Sequence, residues 1–176
     1  MSSLINLVSK SGKVYEVPKE ATKISNMINS MLEDNDDIEI PLDLDDYELT
    51  KIVEFFNIYA DNPLPMSTPE ELDEDSNTRL LTKGETVKTT DMADYVKLPV
   101  YVNYINDLTV NPVDPDDPEN LRKIMTAANY LHIEPLLHLA AVKFGTMILP
   151  LKKNPEKFKK ILGLPANFDC DMKDVL

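Results

Sequence analysis

The run AANYLHIEPLLHLAAVKFGTMI, Ala127 to Ile148, constrains this chain most, because it holds two apolar helical faces that meet at Pro135. Upstream, Leu121, Ile124, Met125, Ala128 and Leu131 recur at helical spacing; downstream, Leu136, Leu137, Ala140, Ala141, Phe144 and Met147 do the same. Such faces must be covered, so helical pairs have to supply most of the core. Asp117 suits the N-cap of the first helix and Pro118 its first position, where a missing N–H costs nothing. Asn129 and Tyr130 fall close to the corner between the two helices.

The first half of the chain reads differently. Two β-leaning runs, Leu4 to Ser9 and Lys13 to Val17, flank Ser11-Gly12, where glycine tolerates the positive φ of a tight turn; this predicts a hairpin. Ile24, Met27, Ile28 and Met31 then predict a short helix, and Ile38 and Ile40 a short strand that ends at Pro41. Leu49, Ile52, Val53 and Phe56 share a face of a further helix, with Asp45 and Glu48 at capping-box spacing. The segment LPVYVNYINDL fits a strand by composition and a helix by the spacing of Val100, Tyr101, Tyr104, Ile105 and Leu108. Asn154, Pro155 and Glu156 open a final short helix through about Leu162. From about Asn62 to Asp94, Pro, Ser, Thr and acids replace any apolar period, which predicts a mobile insertion loop. The sum is an α+β domain with helices packed on a small three-stranded sheet.

Composition narrows the function. A formal net charge of -13 makes direct nucleic-acid binding unfavourable, since a polyanion would be repelled. Cys170 is the only cysteine, so no internal disulfide is expected, and a cytoplasmic or nuclear setting follows. Neither a secretory start nor a membrane-spanning window is expected. His132 and His138 lie six residues apart, off a shared helical face, and Cys170 is remote, so no metal site is expected. EDNDDIE lacks the glycine and spacing of a calcium loop, and Asp114, Asp116 and Asp117 read as loop and helix cap. With four glycines, no phosphate loop and no nucleophile elbow, the chain offers no enzyme motif and calls for no cofactor.

The ordered segments INLVSKSGKVYEV, MLEDNDDIEIPL, LTKIVEFFNIYADNP, AANYLHIEPLLHL and NPEKFKKILGL resemble the S-phase kinase-associated protein 1 family, the BTB/POZ-type adaptors of cullin-RING ubiquitin ligases. The resemblance implies a BTB/POZ domain over residues 1–148, with an acidic disordered insertion at 62–94, and a truncated F-box-binding helical extension over 149–176. It implies no bond chemistry, only bridging of a cullin to an F-box protein within a heteromeric complex. PVYVNYINDL becomes the family's helix beginning P-V-W, with Tyr101 in place of tryptophan. Residue by residue, Asn129 and Tyr130 match the cullin contact, and Phe158, Ile161, Leu162, Leu164 and Phe168 match the F-box-binding region. The chain departs from the family in stopping before the usual final acidic segment, in the length of the insertion and in TVNPVDPDDPEN ahead of the Asn129 helix. Those departures also suit a structural subunit paired with an F-box-like protein and having no ubiquitin-ligase activity. A self-associating BTB module resembling elongin C or a channel tetramerisation domain accounts less well for the tail.

Overall fold

Gly12 adopts φ +85°, a conformation that side-chain-bearing residues avoid, and this lets the chain reverse between β1 (Leu4–Val8) and β2 (Val14–Pro18). Two turn bonds close the hairpin: the Ser9 N–H donates to the Lys13 carbonyl and the Gly12 N–H to the Ser9 carbonyl, both at 2.9 Å. The computed structural model describes residues 4–34, 39–64, 87–110 and 117–165. Leu4 pairs with Pro18 and Val8 with Val14, and the alternation turns Ile5, Leu7 and Val17 into the core.

A third strand, β3 (Glu39–Pro41), lies parallel to β1 on its other side, giving the order β2-β1-β3. Parallel neighbours need a crossover, which a 3₁₀ turn at Ala21–Ile24 and helix α1 (Asn26–Asp34) provide. Ile40 is buried as expected; Ile38 lies outside the described residues. On α1 Ile28 is fully buried, while Met27 and Met31 stay partly exposed.

Helix α2 (Asp46–Asp61) begins with the predicted capping box: the Glu48 N–H donates to Asp45 at 2.7 Å, and the Asp45 N–H donates to the Glu48 carboxylate at 2.8 Å. Its buried residues are Leu49, Ile52, Phe55 and Phe56, so the inward face is turned from the expected one: Phe55 is buried and Val53 only half-buried. The ambiguous segment is a helix, α3 (Pro99–Asp107), with Pro99 in its first turn. Tyr101, Tyr104 and Ile105 are buried along one face, and Leu108 is buried beyond its end.

Helices α4 (Glu119–Tyr130) and α5 (Glu134–Ile148) form the pair announced by the apolar run, followed by a 3₁₀ turn at Leu149–Lys153 and α6 (Pro155–Ile161). The α4 stripe is largely as predicted, with Leu121, Ile124, Ala128 and Leu131 buried and Met125 partly so. The α5 face is corrected. Ala141 is exposed, Leu137, Phe144 and Met147 are half-buried, and Leu139, Val142 and Thr146 are buried instead. Apolar residues surround most of α5, so spacing could not select the side that faces inward.

At the described ends of the segment expected to be a loop from about Asn62 to Asp94, apolar side chains pack. Leu64 and Met92 are buried, and Met92–Asp94 forms a 3₁₀ turn. The buried Tyr95 phenol oxygen accepts the Lys88 and Thr89 backbone N–H groups at 2.8 and 2.7 Å. Residues 65–86 lie outside the described part. Val87 packs against α5: a Cβ added at Gly145 would stand 2.7 Å from Val87 Cγ2. Gly145→Ala should therefore lower stability by about 1–3 kcal/mol in urea denaturation, steric overlap outweighing the helix propensity of alanine. Adding Val87→Ala should restore most of that loss.

The described residues gather into two compact units. One holds the sheet, α1, α2 and Arg122–His138; the other holds α3 and the described residues from Leu139 onward. Among the described residues no helix is long and apolar enough to cross a membrane.

Candidate functional site

The corner between α4 and α5 is built from a helix that ends tightly. His132 takes φ +51°, the left-handed conformation that closes a helix C-terminus. The His132 N–H donates to the Asn129 carbonyl at 3.2 Å and the Ile133 N–H to the Ala128 carbonyl at 2.8 Å. These are the two reversed bonds of a Schellman motif. Leu131 and Ile133, on either side of His132, are wholly buried and pin the corner to the core.

Ser25 fastens the same corner from α1. Its buried Oγ donates to the Leu131 carbonyl at 2.7 Å and accepts the Ile28 N–H at 3.2 Å, so one hydroxyl caps α1 and satisfies a carbonyl beyond α4. The Asn26 N–H approaches the His132 carbonyl at 3.5 Å. The corner backbone is thus held before any partner arrives, which reduces the ordering cost of binding.

Both residues carried over to the corner face solvent. Asn129 is exposed, and Tyr130, at 36% exposure, is one of the few large apolar side chains on the surface of the described residues. Neither side chain makes a hydrogen bond among the described residues. The corner therefore displays an amide and a phenol without hydrogen-bond partners among the described residues, on a fixed backbone.

The α6 region is a second candidate. Asn154 Oδ1 accepts the Lys157 N–H at 3.2 Å and Pro155 occupies the first turn, as predicted. Phe158 and Ile161, expected to wait for a neighbouring subunit, are instead buried within this chain, at 3% and 6% exposure. A helix of seven residues has one apolar stripe, and the chain spends it on its own core. Leu162 and Leu164 remain partly exposed, and Phe168 lies outside the described residues. Gly163, at φ +67°, ends α6 with Gly163 N–H to Lys160 and Leu164 N–H to Lys159 bonds of 3.0 and 2.9 Å, a second Schellman motif.

The two histidines occupy different settings. His132 is exposed, whereas His138 is half-buried on α5, its Nδ1 enclosed without a hydrogen-bond partner among the described residues. Among the described residues, no group of three or more His, Cys, Asp or Glu side chains is placed to hold a metal ion.

One electrostatic cluster had no counterpart in the sequence reading. Asp46 accepts hydrogen bonds from Ser9 Oγ at 2.5 Å and Ser11 Oγ at 2.7 Å, tying the hairpin turn to the start of α2. These bonds, Ser9's first, hold its carboxyl below the usual carboxylate range. A depressed folded-state pKa means that Asp46 stabilises the fold above its unfolded pKa, and that this contribution is lost as pH falls through the lower folded value. The urea midpoint of the wild type should thus fall more steeply below roughly pH 4 than that of Asp46→Asn.

Residues 3–61 match the family described as Skp1 family, tetramerisation domain. Over 171 residues the chain is 30% identical to an S-phase kinase-associated protein 1 homolog of Tetrahymena thermophila, covering 95% of this chain and 86% of that one. It is 27% identical over 173 residues to the SCF ubiquitin ligase complex protein SKP1b of Dictyostelium discoideum, covering 94% and 86%. It is 29% identical over 169 residues to the suppressor of kinetochore protein 1 of Schizosaccharomyces pombe, covering 94% and 88%. Together with the α+β arrangement and its three-stranded sheet, this similarity along nearly the whole chain identifies a Skp1-type fold. The chain belongs to the Skp1 family.

Proposed function

We propose that this chain is a non-enzymatic adaptor of an SCF-type ubiquitin ligase, joining a cullin scaffold to an F-box receptor. The cullin docks at the α4–α5 corner through Asn129 and Tyr130. The F-box protein docks on the segment after α5, where Leu162 and Leu164 offer partly exposed apolar surface. The observation that carries the reading is the corner itself: two polar side chains without internal partners, exposed on a backbone fixed by Ser25 and a Schellman motif. Relatives named as SCF ubiquitin ligase complex proteins support it. A cytoplasmic or nuclear setting goes with this role.

Isothermal titration of the purified chain with a cullin N-terminal domain tests the first contact, and titration with an F-box peptide tests the second. Saturable one-to-one binding in both supports the adaptor. Binding of the F-box peptide alone would leave the chain a structural subunit without a scaffold.

A further inference from the structure

The chain closes two helices with the same backbone device but uses different residues at the critical position. At the end of α6 the left-handed residue is Gly163, at φ +67°; at the end of α4 it is His132, at φ +51°. The left-handed conformation strains a residue that carries a Cβ and leaves glycine unstrained. Backbone geometry alone therefore favours glycine at both sites. The imidazole does nothing inside the chain that would offset the strain: His132 is exposed, and its side chain makes no hydrogen bond among the described residues. Its backbone, by contrast, is fully engaged, with its N–H on Asn129 and its carbonyl receiving Asn26.

We propose that His132 is a third partner contact of the corner, a specificity-determining residue whose imidazole hydrogen-bonds an acceptor on the scaffold subunit. The proposal rests on the adaptor reading above. His132 stands two positions past Tyr130 and three past Asn129, and all three are exposed with polar atoms that make no hydrogen bond among the described residues, so amide, phenol and imidazole are offered within four residues of one fixed corner. Strain retained at an exposed residue with no internal use is a mark of a site kept for binding. An exposed imidazole supplies an N–H donor that glycine lacks, and it accepts from or donates to a partner where a lysine could only donate.

The test measures stability and binding on the same variants of the full chain: His132→Gly, His132→Asn and Tyr130→Lys, each titrated with a cullin N-terminal domain and unfolded in urea. Because glycine fits the cap, His132→Gly should match or exceed the wild-type midpoint while binding about tenfold more weakly. His132→Asn, which tolerates the left-handed backbone and keeps a polar side chain, should bind at an intermediate strength. If Tyr130→Lys loses binding while His132→Gly binds like the wild type, His132 is only a helix cap and the proposal is overturned, the adaptor reading surviving. A His132→Gly chain that is markedly less stable would equally overturn it, since the imidazole would then serve the fold. If the wild type itself fails to bind, the adaptor reading falls and this proposal with it.

Discussion

Replacing Asn129 and Tyr130 together by lysine should weaken binding to a cullin N-terminal domain by at least about a hundredfold, with little change in the urea midpoint. The two effects separate for physical reasons. Asn129 is exposed, Tyr130 keeps 36% exposure, and neither makes a hydrogen bond among the described residues, so replacing them takes little from the core. Both also sit in the last turn of α4, where a cation interacts favourably with the helix dipole, so the fold tolerates lysine at both positions. At an interface the same change replaces a rigid aromatic contact with a flexible charged chain. Titration calorimetry gives the affinity and circular dichroism in urea gives the midpoint. A double variant that unfolds early would show that the corner is held by these residues rather than displaying them. One that binds normally would place the scaffold elsewhere.

Ser25→Ala should have the opposite signature, a large loss of stability of about 2–4 kcal/mol. Ser25 is wholly buried, and its hydroxyl answers two backbone groups at once. Alanine leaves the Leu131 carbonyl without its donor, which costs about 1–3 kcal/mol, and strips the cap from α1, which costs about 1 kcal/mol more. The variant fills nearly the same volume, so packing contributes little. Urea denaturation measures the loss. Under conditions where the variant is still folded, cullin affinity should fall severalfold, because the carbonyl that Ser25 holds lies between Tyr130 and His132. A midpoint close to the wild type would show that water or a neighbouring group replaces the hydroxyl, and that the corner does not depend on this tie.

What could be read from the sequence were the local signals. Ser11-Gly12 marked the hairpin, Asp45 and Glu48 the capping box, and Asn154-Pro155 the start of α6, because each device is complete within four residues of its own chain. The exposed corner residues Asn129 and Tyr130 were reached only through the family resemblance; no spacing singles them out. Ser25 was missed because its acceptor, Leu131, lies 106 residues along the chain. Nothing in the sequence reveals that the φ of His132 is positive. The parallel pairing of β1 with β3 and the tie from Ser9 and Ser11 to Asp46 are likewise long-range facts. The inward turn of Phe158 and Ile161 shows the converse limit: an apolar stripe identifies a face to be buried but not whether the same chain or a partner buries it.

Sedimentation of an equimolar mixture of this chain, a cullin N-terminal domain and an F-box peptide tests the bridging role most directly. The adaptor reading predicts one boundary with the mass of a one-to-one-to-one complex, and its replacement by the chain–peptide pair when Asn129 and Tyr130 are both lysine. Two separate binary complexes that never combine, or a cullin domain that sediments alone beside the wild-type chain, would contradict it.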